Sequence, residues 1–404
     1  MNKIVKSIAP LLLAISLLLS GNGLLGTLTG MRASYEGFHE ILTGLIMAAY
    51  FLGFVVGIYL CPALLKSVGY IRTFTVLVAL CAVAIILQGY FVTIYSWILL
   101  RLLVGICLVG VYVVIESWLN NLTSNENRGK TLCVYQMTTL LALAAGQFLI
   151  LMADVNTHTL FVLSAALFVI SIVPVALTKL DEPEIVNGAE SLDLRELYQI
   201  SRVSILSSLT SGLVNGSFFA LAAVSAIQLG LDKKEIAILM SAMILGGAIL
   251  QWPIGHLSDR FDRRNIIALA SLFGSIFSIL MLFFFHYYKD GIIVIVFLYG
   301  GMSFVLYPIG SALLNDIIPR EKFVLAARGM SLTYGIGAAV GPICVGLLMT
   351  MTGPEAQYVF SAVILFILAL FGYFEVHNND LSITEHEAFI PMVRTSPVAL
   401  ELHP

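Results

Sequence analysis

The sequence predicts an all-α membrane protein with twelve transmembrane helices in two six-helix pseudo-repeats. Hydrophobic residues make up 59% of the 404 residues and charged residues only 11%, whereas a soluble domain has about 25% charged residues. Apolar runs of about 20 residues, the length that crosses a bilayer as a helix, recur along the whole chain. Short motifs of the first half recur in the second half at a nearly constant offset, as expected for an internal duplication.

Twelve apolar runs are long enough to span a bilayer. They cover, approximately, residues 7–29, 41–64, 71–90, 96–118, 132–152, 158–178, 203–228, 236–257, 265–286, 291–315, 328–351 and 356–376. The first run exceeds the apolar core of a signal peptide (about 7–15 residues) and no cleavage motif follows it, so we expect it to be retained as span 1. The spacing divides the chain into an N-terminal six-helix bundle (1–178), a central loop (179–202), a C-terminal six-helix bundle (203–377) and a tail (378–404).

The basic residues are distributed unevenly between the two sides of this arrangement. Sixteen of the 21 Lys and Arg residues fall on the side of the termini and four on the other, while Arg101 lies inside span 4. Because basic residues accumulate on the cytoplasmic side, both termini and the central loop are predicted to be cytoplasmic. A net charge of -3 gives no indication of a nucleic-acid partner, and the five cysteines form no metal-binding or disulfide pattern.

Dipeptides mark the internal repeat. Asn22-Gly23 in span 1 matches Asn215-Gly216 in span 7, and Leu52-Gly53 matches Leu245-Gly246, both at an offset of 193 residues. Several matches at one offset predict two halves that are related by a parallel duplication.

The loop between spans 8 and 9 carries the densest cluster of charge in the apolar region. It reads Gly-His-Leu-Ser-Asp-Arg-Phe-Asp-Arg-Arg over residues 255–264. This spacing resembles the loop signature of the major facilitator superfamily, which occurs between spans 2 and 3 and again between spans 8 and 9. Here the loop between spans 2 and 3 keeps only Gly69 and a displaced Arg72.

The resemblance implies that the loop gates the cytoplasmic side. We expect Asp259 to pair with Arg128 at the start of span 5 and to hold that side closed, since a carboxylate is also favoured at a helix N-terminus. The gate candidates are therefore Gly255, Asp259, Arg260, Arg263, Arg264 and Arg128.

Span 4 and its surroundings extend the resemblance. Arg101-x-x-x-Gly105 is similar to the span 4 signature of the superfamily, and Glu-Ser-Trp-Leu-Asn at 116–120 resembles a poorly characterised bacterial branch. The similarity covers residues 5–377 and implies a secondary carrier of the bacterial inner membrane that works by alternating access. Protons are the expected coupling ion, and uniport or substrate exchange stays open because few carboxylates lie deep in the spans.

Two ionisable residues of span 4 are candidates for function. A charge inside a span costs at least about 2.5 kcal/mol unless it is paired or faces water. Arg101 begins a helical stripe with Gly105, Leu108, Tyr112 and Glu116 that should face the protein interior. Arg101 is expected to line a central cavity and bind an anionic group, or alternatively to bond backbone carbonyls between helices. Glu116 is the proton-coupling candidate, with a structural ion pair to a cytoplasmic base as the alternative.

Further polar residues lie in the spans. In the superfamily, spans 1 and 7 line the cavity, so Asn22 and Asn215 at equivalent positions are expected to bind a polar solute. Gln136, Gln147 and Tyr307 complete the predicted set of substrate-binding residues. The alternative for each residue is a hydrogen bond between helices.

These observations predict a transporter of a small polar or anionic organic solute. An efflux carrier for drugs or toxic compounds is a weaker alternative, because the Gly341-Pro342 pair stands in span 11 instead of span 5. A non-transporting sensor or a lipid flippase on the same fold is a further alternative. The sequence contains no nucleophile–base set and no nucleotide-binding loop, so we expect neither an enzyme nor a cofactor. The expected partners are the solute, protons and the lipid bilayer, and we expect a monomer.

Overall fold

The computed structural model describes residues 2–123, 128–177, 194–288, 291–319 and 322–378, and α-helices form nearly all of this described part. The side chains of residues 2–7, 128, 129, 324 and 378 lie outside this description. The helices are α1 (Asn2–Tyr35), α2 (Glu40–Val68), α3 (Tyr70–Tyr90), α4 (Ile94–Leu122), α5 (Arg128–Phe148), α6 (Thr159–Ala176), α7 (Leu194–Ile200), α8 (Arg202–Gln228), α9 (Lys233–Ser258), α10 (Arg263–Tyr287), α11 (Ile292–Asn315), α12 (Phe323–Thr352) and α13 (Ala356–Asn378).

Twelve of these helices are long and apolar enough to cross a membrane, which confirms the predicted fold class. Several helices extend beyond the apolar runs. Helix α4 continues to Leu122, since the helical conformation keeps the backbone groups hydrogen-bonded to one another beyond the end of the apolar run. The short helix α7 was not predicted and lies in the proposed central loop. Residues 379–404 of the tail and residues 178–193 lie outside the described part, so the predicted domain boundaries stay predictions.

The internal repeat is visible in the packing of equivalent glycines. A methyl group at Gly53 on α2 would overlap the carbonyl oxygen of Leu102 on α4. A methyl group at the equivalent Gly246 on α9 would overlap the carbonyl oxygen of Phe297 on α11. The second and fourth spans of each half therefore cross in the same way, with a glycine at the point of closest approach.

The two halves meet along a small set of helices. Helix α2 packs against α12, α5 packs against α9, and α1 packs against α8. Helix α8 is central, because 83% of its apolar 18-residue stretch is buried inside the protein. Helix α13 is peripheral, because only 33% of the corresponding stretch is buried. The interface is therefore built by the inner helices, and α3, α6, α10 and α13 lie towards the outside of their own halves.

Polar contacts tie the two halves together at one end of the molecule, which we call the Glu40 end. The Glu40 carboxylate on α2 accepts hydrogen bonds from Gln228 Nε2 at 2.6 Å and from Thr350 Oγ1 at 3.3 Å, on α8 and α12 of the other half. Lys233 Nζ donates to the carbonyl oxygen of Ala153 at 3.0 Å. The halves are therefore in direct contact at the Glu40 end.

Candidate binding cavity

A cavity of about 170 Å³ lies between the two halves. Its wall is formed by α1, α2, α4 and α5 of the first half and by α8, α11 and α12 of the second. The polar wall residues are Asn22, Thr27, Tyr50, Arg101, Tyr112, Gln136, Gln147 and Tyr334. The apolar wall residues are Met47, Phe51, Phe54, Leu140, Leu143, Phe219 and Phe304, together with Gly23, Gly26 and Gly335.

Arg101 lies on this wall about two helical turns into α4. The residue is only 3% exposed. Its Nη2 donates to the sulfur of Met47 at 3.4 Å, and its guanidinium carbon lies 5.0 Å from the centre of the Tyr50 ring. Its Nε and Nη1 are buried and have no hydrogen-bond partner among the described residues. The guanidinium therefore belongs to a residue of the cavity wall and has only weak partners there, a thioether and an aromatic face.

The predicted stripe of α4 faces the inside of the protein. Arg101, Gly105, Leu108, Tyr112 and Glu116 are all buried. Arg101 and Tyr112 reach the cavity, because residues four and three positions apart share a helix face.

Glu116 lies on the same helix, nearer to its C-terminal end than Arg101, and is fully buried. The Tyr135 hydroxyl on α5 donates to its carboxylate at 3.1 Å. Glu116 is not on the cavity wall, but Tyr112, one turn away, is. The arrangement places a buried carboxylate within one helical turn of the cavity.

Asn22 and Gln136 are two of the predicted polar residues that the structure places on the cavity wall. Both lie on the wall, Asn22 on α1 and Gln136 on α5. The Gln136 side-chain oxygen has no hydrogen-bond partner in the described part of the chain. An amide can both donate and accept, so either residue can bind a polar group of a solute.

Gln147 also borders the cavity, but both the oxygen and the nitrogen of its side-chain amide are hydrogen-bonded to α1. Thr27 Oγ1 donates to Gln147 Oε1 at 2.5 Å, and Gln147 Nε2 donates to the carbonyl oxygen of Gly23 at 3.0 Å. Gln147 therefore holds α5 against α1.

The structure corrects the predictions for Asn215 and Tyr307, which do not line the cavity. Asn215 Nδ2 donates to the carbonyl oxygens of Ser211 at 2.7 Å and Ser303 at 3.2 Å, and its Oδ1 accepts from Ser303 Oγ at 2.9 Å. The Tyr307 hydroxyl lies 3.1 Å from Ser331 Oγ. Both side chains are buried between helices of the second half, where their polar groups are satisfied.

The loop with the superfamily signature binds its own half. The Arg263 side chain is fully buried and its guanidinium lies 2.8 Å from the carboxylate of Asp316, at the end of α11. It also lies 3.3 Å from the carboxylate of Asp259. Asp262 begins α10 by accepting from the backbone N–H of Arg264 at 2.8 Å, and pairs with the Arg264 guanidinium at 2.7 Å. These contacts fix the turn between α9 and α10 and attach it to α11.

The other gate candidates have different positions. Arg260 is exposed and Gly255 is buried in α9. The Arg128 side chain lies outside the described residues, so its pairing with Asp259 stays a prediction.

Aromatic residues are the part of the wall that the sequence reading missed. In an apolar span, the sequence around an aromatic residue looks the same whether the residue faces lipid or a cavity. The signal that points to them is the stripe on α2 at helical spacing, formed by Met47, Tyr50, Phe51 and Phe54, of which Met47 and Tyr50 contact Arg101.

The sequence model of the Major Facilitator Superfamily matches the chain twice, over residues 11–205 and 203–400. Among proteins of similar sequence is the uncharacterized MFS-type transporter YcaD of Escherichia fergusonii, 26% identical over 364 residues that cover 89% of this chain and 93% of that protein. The uncharacterized MFS-type transporter Ent638_1421 of Enterobacter sp. (strain 638) is 24% identical over 366 residues, with coverages of 89% and 93%.

Solved structures show the same fold at low sequence identity. The nucleoside transporter NupG superposes with a TM-score of 0.73 at 15% identity, covering 94% of this chain and 100% of that one. A bacterial homolog of the human lysosomal transporter Spinster, in an inward-facing and occupied conformation, superposes with a TM-score of 0.74 at 12% identity, covering 92% and 96%.

Proposed function

Because the chain belongs to the Major Facilitator Superfamily of membrane transporters, we propose that it is a secondary carrier of a small polar or anionic organic solute. The cavity supports this proposal, because both halves contribute to its wall. Rocking of the halves about such a site exposes it to each side of the membrane in turn.

The carrier acts as a monomer in the bacterial cytoplasmic membrane, with both termini in the cytoplasm. The excess of Lys and Arg on the side of the termini supports this orientation. The Glu40 end then faces outwards, and its cross-half hydrogen bonds close the outer side of the cavity. At the cytoplasmic end, Asp259 and Arg128 form the gate that closes in the opposite state.

Transport is coupled to protons, with Glu116 as the proton-binding residue. Its burial and its hydrogen bond from Tyr135 support this role. A proton on Glu116 changes the charge of the buried region one turn from Tyr112 on the wall, and this links protonation to the cavity.

Alternating access is tested with a single cysteine on the cavity wall. The five native cysteines are replaced and Leu143, a wall residue, is changed to Cys. A small membrane-impermeant thiol reagent is then applied to right-side-out and to inverted vesicles. We expect labelling from both faces, because each conformation exposes the cavity to one side.

Two loop positions are matched controls for the sidedness of the vesicles. Thr157, in the turn before α6, and Ser67, in the last turn of α2, are both exposed and lie on opposite sides of the predicted topology. Thr157→Cys and Ser67→Cys should each react from one face only. Labelling of Leu143→Cys from one face under all conditions, with correct controls, would exclude alternating access.

A further inference from the structure

The polar groups of the cavity wall are distributed unequally between the two halves. The first half contributes seven of the polar wall residues, including Arg101, Asn22 and Gln136. The second half contributes Phe219, Phe304, Tyr334 and Gly335, of which only Tyr334 has a polar side-chain atom. The first half also carries apolar wall residues, such as Phe51 and Phe54, so the asymmetry lies in the polar groups. A solute in the cavity meets nearly all of the hydrogen-bonding groups on the first half and a mainly aromatic surface on the second.

The guanidinium of Arg101 defines the charge of the group that binds on the polar side. No acidic side chain is among the described residues that line the cavity. Nε and Nη1 of Arg101 are buried without hydrogen-bond partners among the described residues. A carboxylate supplies strong acceptor oxygens in place of the thioether that Nη2 now contacts, and its negative charge offsets the buried positive charge.

The facing surface defines the rest of the molecule. Phe219 on α8 and Phe304 on α11 pack edge to face, with ring centres 6.0 Å apart. The Tyr334 ring on α12 is held in place by an edge contact with Tyr307 at 5.7 Å. Rings fixed in this way form a preorganised apolar surface, which favours a flat apolar or aromatic group over a hydrated one.

We propose that the solute is an organic monocarboxylate with an aromatic or flat apolar body, and that the two halves divide its recognition. The first half binds the carboxylate through Arg101, and the second half binds the body through Phe219, Phe304 and Tyr334. This inference rests on the proposed carrier function and specifies the class of its substrate. The single positive charge on the described wall matches a monoanion better than a cation or a dianion.

Thermal unfolding of the purified full chain in detergent tests the division with three probes. Phenylacetate carries both the charge and the ring, phenylacetamide carries the ring without the charge, and acetate carries the charge without the ring. A ligand that binds only the folded protein raises the midpoint of unfolding in a concentration-dependent way. We expect phenylacetate to raise the midpoint, and the amide and acetate to have little effect at the same concentration.

Arg101→Gln tests the binding of the carboxylate. We expect the variant to lose the response to phenylacetate. Arg101→Lys keeps the positive charge but not the fork of N–H groups, so we expect it to fold and to respond more weakly than the natural protein. Arg202→Gln is the matched control, because Arg202 also lies over a tyrosine ring, that of Tyr198 at 6.0 Å, but is exposed and outside the cavity.

Phe304→Leu tests the binding of the body. We expect about a tenfold rise in the apparent Kd for phenylacetate, the size of change that loss of one aromatic contact gives. The matched control is Phe277→Leu, since Phe277 stacks on Phe273 at 6.3 Å outside the cavity and should leave the Kd unchanged.

Four results would overturn the proposal. They are equal stabilisation by phenylacetate and phenylacetamide, equal stabilisation by phenylacetate and acetate, an unchanged response in the Arg101 variants, and no stabilisation by phenylacetate at millimolar concentration. Because labelling of Leu143→Cys needs no solute, it tests the carrier function separately. Failure of the binding test therefore leaves alternating access standing, and failure of the labelling test leaves the binding result standing.

Discussion

Arg263 and Arg101 are both buried guanidinium groups, but their surroundings differ. Arg263 is held by the carboxylates of Asp316 and Asp259 at 2.8 and 3.3 Å. Arg101 contacts the sulfur of Met47 and the ring of Tyr50. A buried charge with ionic partners is compensated within the fold, and removal of one partner is costly. A buried charge beside a cavity whose described wall has no acidic group is available to a ligand.

Replacement of Arg263 by Gln should destabilise the protein strongly. The change removes one partner of a fully buried ion pair and leaves Asp316 without its arginine, a loss of about 3–5 kcal/mol. The midpoint of thermal unfolding in detergent measures the effect. Arg260→Gln is the control, since Arg260 is exposed and its replacement should change stability by about 0.5 kcal/mol or less. Equal midpoints for the two variants would contradict the structural role of Arg263.

At this scale the sequence predicts charged residues better than neutral ones. Arg101 was predictable as a candidate because a charge inside a membrane span is costly unless it is paired or faces a cavity. Asn22 and Asn215 occupy equivalent positions, yet only Asn22 lines the cavity. The difference lies in neighbours from other helices. Ser303 bonds Asn215 through two hydrogen bonds, and such contacts cannot be read from the sequence around Asn215.

The crossing of α2 and α12 depends on two glycines near the Glu40 end. A methyl group at Gly44 on α2 would overlap the carbonyl oxygen of Pro342, and one at Gly346 on α12 would lie 2.6 Å from the carbonyl oxygen of Glu40. These helices belong to different halves, so the glycines determine how closely the halves approach at this end.

Gly44→Ala should shift the carrier towards the conformation that is open at the Glu40 end. The added methyl group has no room while α2 and α12 are in contact, so the closed arrangement loses stability relative to the open one. The measurement is the rate at which Leu143→Cys is labelled from the outer face, which should rise.

Gly274→Ala is the control for this prediction. Gly274 lies on α10, away from the cavity and from the contact between the halves, and a methyl group there would meet first the end of the Leu365 side chain at 3.1 Å in the same half, so the same chemical change should leave the labelling rates close to those of the parent. Equal rates for the two variants would show that the crossing does not limit opening.

Among the elements, the membrane spans were predictable and the short helix α7 was not. A span is recognised by the length of its apolar run. Helix α7 has 7 residues in a charged segment, and it is positioned by Leu197, which packs directly on Gly329 of α12. Its position depends on a distant glycine that leaves space for one leucine.

The two halves are alike as complete structural units. The family model matches each half separately, over 11–205 and 203–400, and the equivalent spans of each half cross through equivalent glycines. The main contacts between the halves are side-by-side packing of α2 with α12 and of α5 with α9. Covalent continuity between the halves is therefore not needed to form this interface.

Cutting the chain between residues 185 and 186 should leave a carrier that assembles from two pieces. Each piece keeps the packing within its own half, and the interface then joins them in the membrane. The test is co-expression with an affinity tag on the first piece and detection of the second piece after purification. A cut between Leu108 and Val109, in the middle of α4, is the control that should prevent assembly. Absence of the second piece after the first cut would show that the halves depend on their linker.

The position of Arg101 in the first half has a consequence for how the membrane voltage acts on the carrier. The empty cavity carries one positive charge on its described wall, and a bound monocarboxylate cancels it. A voltage acts on a moving charge with about 2.3 kcal/mol per elementary charge per 100 mV for a full crossing. The loaded halves with Glu116 protonated therefore rock without electrical work. The charge of the empty halves depends on Glu116, one turn from the wall: its carboxylate cancels the charge of Arg101 after the proton has left, whereas a protonated Glu116 leaves that charge to move through part of the field. An inside-negative voltage thus favours the empty carrier with its cavity open to the cytoplasm only while Glu116 keeps its proton.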